Sequence, residues 1–207
     1  MTGAVITADI VNSTKLSKNE YKTLMKSLTA VLQEHQHEFF RGDSFQVLVK
    51  SPNDALQVLL QARTAAMKLS EASMPVTDIR ASIGIGQVKL PVKSFQTTSA
   101  NVFILSGRAF DKMTKEERLT IVCDEKNQAV NLGLKLISQF IDYLFLRLTF
   151  KQAAVVYELL MERTQVDTAK RLKKSQATIH KHTQSAGWPQ IEKLLIEYKN
   201  LVPLIEP

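Results

Sequence analysis

Residues 124–148, DEKNQAVNLGLKLISQFIDYLFLRL, set the tightest limit on what this chain can fold into. Leu132, Leu136, Ile137, Phe140, Ile141, Leu144, Phe145 and Leu148 recur at helical spacing, but they spread over more than one face of the helix they predict. Such a helix cannot stand as a solvent-washed connector. It has to pack on the segment before it, on the segment after it, or on a partner chain. Asp124 is its expected N-cap. The segment also divides the chain. Before it, strand and helix periods alternate; after it, residues 149–200 are helical in pattern throughout.

In the first part, GAVITADIV reads as a strand from its β-branched content and its length. From Ser17, an N-cap, the spacing of Tyr21, Leu24, Met25, Leu28, Val31 and Leu32 predicts a helix to about His37. HEFFRGDSFQVLV predicts a hairpin with Gly42 and Asp43 in its turn. Pro52 opens a second helix running through Ala55, Leu56, Leu59, Leu60, Ala62, Arg63, Ala66, Met67 and Leu69. A long strand, DIRASIGIGQVKL, is followed by a short helix over 101–113 and a last strand, LTIVC. The order β-α-β-β-α-β predicts an α+β chain with a ferredoxin-like antiparallel sheet and helices on one face. The expected units are a first domain at 1–125, a connecting helix at 126–147 and an all-α domain at 148–207.

The longest apolar runs are too short to cross a membrane, and the first residues lack the pattern of a secretory leader. Cys123, the single cysteine, reads as a small buried strand residue, and no intrachain disulfide is possible. The cytoplasm is the expected compartment. The net charge of +7 is spread thinly except over 163–181, where Arg163, Lys170, Arg171, Lys173, Lys174 and Lys181 meet only Asp167.

Asp9 and Asp43 are the residues that ask for a chemical explanation. A carboxylate on a core strand is costly unless it is paired, hydrogen-bonded or bound to a cation. A strand end and an adjacent hairpin turn can bring the two together, and Mg²⁺ is held by one or two carboxylates plus substrate phosphates. The plainer alternative is a turn Asp and a strand-end Asp that accept backbone N–H bonds. Other catalytic patterns are absent: there is no HExxH, Walker, GxSxG or CxxC motif. His35 and His37, like His180 and His182, lie two apart on expected helices and face different ways.

Thr7-Ala8-Asp9-Ile10-Val11 with Ser13-Thr14, Gly42-Asp43-Ser44-Phe45, and Ile79-Arg80-Ala81-Ser82-Ile83-Gly84-Ile85-Gly86 resemble three blocks of the class III nucleotidyl cyclases. RGDSFQ, the IGIG strand and Leu105-Ser106-Gly107-Arg108-Ala109-Phe110 are similar to the cyclase-like SatD-like proteins of bacteria, over about residues 3–125. The resemblance implies metal-binding roles for Asp9 and Asp43, with Mg²⁺ and a nucleotide as the ligands. It also implies what is missing. Active cyclases carry an asparagine four residues before an arginine on the helix after the IGIG strand. With Arg108 in the arginine place, Ile104 stands where the asparagine belongs. Phe39-Phe40-Arg41 occupies the region of the base-selecting lysine. Loss of such donors costs orders of magnitude in rate. The expectation is a non-catalytic domain that binds a nucleotide or serves as a dimerisation scaffold; a metal-dependent enzyme acting on nucleotides is the rival.

In LTFKQAAVVYELLMERTQVDTAKRLKKSQATIHKHTQSAGW, Thr149 is the expected N-cap of a helix buried through Leu148, Ala153 or Ala154, Val155, Val156, Leu159 and Leu160. After a break at Arg163-Thr164, Val166, Ala169 and Leu172 are expected to point inward from a second helix. Lys173-Lys174-Ser175 is the turn, and Ser175 caps a third helix anchored by Ile179. This is the helix-turn-helix pattern. It resembles sigma-factor region 4 and the LuxR-type regulators, which makes 175–186 the recognition helix. Gln176, Ala177, Thr178, His180, Lys181 and Gln184, with Ser175 at the cap, are the expected base-reading set; Arg171, Lys173 and Lys174 are the expected phosphate contacts. Trp188 is expected to pack under the end of that helix. The expected partners are double-stranded DNA, a small nucleotide and a second copy of the chain, because cyclase domains and helix-turn-helix proteins both work in pairs. The alternative is a three-helix protein-docking module. A final helix carries Ile191, Leu194, Leu195, Tyr198 and Leu201, a stripe suited to dimerisation or to packing on the bundle.

Overall fold

The computed structural model describes residues 1–40, 42–69, 77–95, 98 and 100–206. Arg41 of the hairpin turn lies outside them. The chain is α+β. Five strands, β1 (Thr2–Val11), β2 (Gln36–Phe40), β3 (Ser44–Val49), β4 (Asp78–Gln87) and β5 (Leu119–Val122), form one sheet in the order β2-β3-β1-β4-β5. The helices are α1 (Lys18–Leu32), α2 (Ala55–Met67), α3 (Asn101–Lys112), α4 (Gln128–Phe145), α5 (Phe150–Leu160), α6 (Gln165–Leu172), α7 (Gln176–Ser185) and α8 (Trp188–Leu201). No helix of the described residues is long and apolar enough to cross a membrane.

Two expectations about the sheet are corrected. It is mixed, not antiparallel throughout: β1 pairs antiparallel with β3 and β4, whereas β5 lies parallel to β4. The reason is α3, a crossover between two strands that run the same way. The helices also cover both faces. Ala4, Ile6, Ala8 and Ile10 of β1 face α1 and α2, while Val5 and Leu48 face α3 through Val102 and Phe103. Close approach of α3 depends on Gly84, where a Cβ would stand 2.8 Å from the Ser106 nitrogen and 2.9 Å from the Val102 oxygen. The IGIG pattern is thus explained at its first glycine by helix-on-strand contact.

Local signals place most helix ends. Ser17 and Glu20 form a reciprocal capping box at α1, and Thr149 and Gln152 form another at α5. Helix α1 ends at Leu32, five residues short of the expected His37, because 36–40 pair with β3 and Phe39 packs on Phe45 across the hairpin. His35 and His37 therefore do not share a helix. Helix α4 starts at Gln128, not after Asp124. Asp124 accepts the Lys126 N–H at 3.1 Å, and the N-cap, Asn127, holds Glu206 through bonds of 2.9 and 3.3 Å.

The main core does not break at 125 or at 148. It runs from the sheet, α1 and α2 into Leu134, Ile141 and Phe145 of α4, Ala153, Val156 and Leu160 of α5, and Ile191 and Tyr198 of α8. The Tyr198 hydroxyl donates to the Pro52 carbonyl at 2.7 Å, and burial pushes its phenol far up. The stripe on α8 is therefore spent inside the molecule. At the centre sits Arg63, fully buried although it falls within the apolar pattern of α2. Its Nε and Nη2 donate to Asp78 at 3.1 and 2.8 Å, and its Nη1 donates to Asp142 at 2.7 Å. Its head lies 4.8 Å from the Phe145 ring centroid. The other oxygen of Asp142 accepts the N–H groups of Arg118 and Leu119 at 2.8 and 2.9 Å. One guanidinium thus joins α2, β4 and α4, and α4 in turn holds the start of β5. Burial alone would depress the basicity of Arg63, but Asp78 and then Asp142 outweigh it and raise it.

Candidate functional site

Asp9 lies near the end of β1, opposite Ser44 of β3 on one side and Arg80 of β4 on the other. Its side chain points to the α3 face, as do Thr7 and Val5 by strand alternation. Asp43 is drawn beside it because its carbonyl accepts the Ile10 N–H at 2.9 Å, extending the β1–β3 ladder into the turn. The turn itself needs Gly42, whose φ is 86° and whose carbonyl accepts the Tyr21 hydroxyl. Ser44 donates to Asp9 at 3.3 Å, and Ser13 donates to Asp43 at 3.1 Å.

The electrostatics mark the pair. Burial, and after it the Asp43 charge, hold the Asp9 carboxyl above its ordinary value of 3.8; the Ser44 hydroxyl, the Ile10 backbone and Arg80 oppose this less strongly. Arg80 does not close onto Asp9: its Nη2 donates to the Met113 carbonyl at 2.7 Å and its head lies 4.9 Å from the Phe110 ring centroid. Its Nε is buried without a hydrogen-bond partner. Among the described residues no group of three or more His, Cys, Asp or Glu converges as a metal cage. Two adjoining carboxylates are the donor set that Mg²⁺ uses when phosphates supply the remainder, so the residues present fit that group. Ile104 and Arg108 lie elsewhere, on a 390 Å³ groove between α3, β5 and α4 that neither aspartate lines.

The second candidate is built by α5, α6 and α7. Val155, Leu159, Ala169 and Ile179 form a small core, with Leu172 and Trp188 against it. Helices α5 and α6 end alike. Glu162 and Lys173 take left-handed backbone (φ 59° and 52°), and the next N–H reaches back to the carbonyl five residues earlier: Arg163 to Glu158 at 3.2 Å and Lys174 to Ala169 at 3.0 Å. Neither position is glycine. Thr164 caps α6, and Ser175 caps α7 by accepting the Thr178 N–H at 3.1 Å.

Along α7, Gln176, Ala177, His180, Lys181 and Gln184 are exposed, while Ile179 and Thr183 are buried. Thr178 is half-buried and shares a 2.9 Å hydroxyl contact with Ser175. Lys173 and Lys174 are exposed in the turn. Arg171 is more than half exposed, but its Nε donates to Glu158 at 2.8 Å. Val166 does not point inward as expected: it is exposed, and Thr168 and Ala169 take the buried face of α6. The short α6 can bury only the side that meets α5 and α7.

Two residues here escaped sequence reasoning. Glu158 is buried within α5 and gathers Arg163 and Arg171; a lone acid inside an apolar helical pattern was its only signal. Lys68 lies 3.3 Å from the Tyr157 ring centroid, and burial brings its amine down to about 8, against the pull of Glu158. Nothing in the sequence pairs residues so far apart. No protein-family model, curated protein or solved structure matches the chain.

Proposed function

We propose that this chain is a DNA-binding transcriptional regulator, in which α6 and α7 form a helix-turn-helix carried on a cyclase-like body. The carrying observation is α7. Its outer face offers Gln176, Ala177, His180, Lys181 and Gln184 at one- and three-to-four-residue spacing, with no acid among them and Lys173 and Lys174 in the turn before it. Glutamine suits adenine edges, lysine suits guanine, and alanine suits the thymine methyl. The lysines of the turn, with Arg171 anchored on Glu158, are placed to meet phosphates. Reading the body as ferredoxin-like is supported by the order β2-β3-β1-β4, antiparallel at each step, with β5 as an addition.

A salt titration of duplex binding, followed by fluorescence anisotropy, tests this. Replacing Lys173 and Lys174 with alanine weakens binding to all sequences and flattens the log–log salt slope by about 2. Replacing Gln176 or Lys181 relaxes sequence preference, at roughly 1–3 kcal/mol for each base-edge hydrogen-bonding pair removed. If selection from random duplexes yields no motif and none of these changes alters binding, a protein-docking module takes its place.

A second reading attaches to Asp9 and Asp43, because their mutual repulsion is what a cation relieves. In this reading the two carboxylates would hold Mg²⁺ against the phosphates of a bound nucleotide. Turnover would be negligible, because Ile104, in the asparagine place, carries no donor and lines a groove that neither aspartate shares. Calorimetry should show binding of a Mg²⁺–nucleoside triphosphate that Asp43→Ala abolishes, with no cyclic product. Robust cyclic product instead would make the chain an enzyme.

A further inference from the structure

The main core accounts for half of α4. Val130, Leu134, Ile137, Ile141 and Phe145 are buried in it, yet Leu132, Leu136, Phe140 and Tyr143 on the other side are 46–61% exposed. At about 100° per residue these four share an arc of roughly 80° with Ala129, and no charged side chain of the helix falls inside it. Lys135 and Gln139 lie to one side; Arg147, beyond the helix end, places its guanidinium 3.7 Å from the Tyr143 ring centroid. A helix with two opposed apolar faces is one that is covered on both.

We propose that this face is covered by the same face of a second copy of the chain, α4 against α4 about a twofold axis, with the helices antiparallel. Three observations favour a second copy over a foreign partner. The face carries a single charge, the Arg147 guanidinium over the Tyr143 ring, which is too little to select an oppositely charged protein. The stripe is aliphatic at its first two positions and aromatic at its last two, so antiparallel pairing sets Leu136 on Phe140 and opposes the helix dipoles. Aromatic side chains carry ~150–250 Å² each. With about half of each ring exposed, Phe140 and Tyr143 alone supply roughly 200 Å² per copy, about a quarter of the ~800 Å² each partner buries in a standard interface, and Leu132 and Leu136, more than half exposed, add to it. That is a dimer core, and a polar rim from Lys135, Gln139 and Arg147 would complete it. The pairing does not depend on DNA recognition.

Sedimentation of the full chain without DNA tests it. The parent sediments at twice the 23.3 kDa chain mass. Leu136→Glu and Phe140→Glu each raise the dimer dissociation constant by about 100-fold or more, since each buries an unpaired charge. Both variants keep the parent's circular dichroism, because neither residue is in the core. A mixture of Leu136→Glu and Phe140→Lys chains recovers the dimer, which only antiparallel contact of these positions allows. Ile196→Glu, an exposed apolar site on another helix, changes nothing. A monomeric parent overturns the proposal, as does a dimer that survives both α4 variants or fails to return in the mixture.

Discussion

Two pairs of aspartates in this molecule are handled in opposite ways. Asp78 and Asp142 lie deep in the core, and their surroundings compensate them: a shared guanidinium, and backbone N–H groups at 2.7 to 2.9 Å. Asp9 and Asp43 lie half-buried near a turn, with a serine hydroxyl each and each other's charge. Arg80 could have served the second pair as Arg63 serves the first, but it bonds the Met113 carbonyl instead. Charges that a fold uses as structure are saturated. Charges left in mutual repulsion beside solvent are where a ligand has something to gain.

The largest effect is expected at Arg63. Arg63→Met leaves two buried carboxylates without their partner and should cost about 3–5 kcal/mol. For a chain of this size that lowers the melting temperature by about 10 °C or more, readable by calorimetry. A loss of only a degree or two would mean that these ion pairs do not fasten the core. Asp142→Asn should cost less, about 1–3 kcal/mol, since the amide keeps one acceptor but turns its NH₂ toward donors.

At the other pair the sign reverses. Asp9 ionises less readily folded than unfolded, so its charge costs stability in full above its raised value, and the cost disappears as pH falls below 3.8, where both states are protonated. Asp9→Asn should therefore raise the melting temperature at pH 7, on the order of 1–3 °C, and the gain should close on acidification. A destabilised Asp9→Asn would show that the pair is a structural fastening after all. The smallest expected effect is a shift of about 1 °C on adding Mg²⁺ to the parent, absent in Asp9→Asn and in Asp43→Asn.

Much of the fold was legible in local sequence. The β-branched content of AVITADIV and the caps at Ser17, Thr149 and Ser175 act within a few residues, so they survive without knowledge of the fold. So did the exposed polar face of α7 around its Ile179 anchor. Reading failed where distant residues competed for the same segment. Strand pairing took His37 from α1, α4 starts past the expected cap Asp124, beside the Asn127–Glu206 bonds, and the limited packing surface of α6 left Val166 in solvent.

The residues alone determined that 124–148 carry a helix with apolar material on more than one face, because helical spacing is a property of the chain. Which side meets the core, and which is left open, was decided only in three dimensions. Asp142 goes with the buried side: its two oxygens engage Arg63 and the start of β5, while Leu134, Ile141 and Phe145 are buried and Leu136 and Phe140 are left exposed. Likewise, period alone placed Arg63 among apolar residues, but only the arrival of carboxylates from residues 78 and 142 makes a buried charge tolerable there. Periodicity is short-range and written in the chain. The compensation of charge depends on partners that the fold has first to bring together.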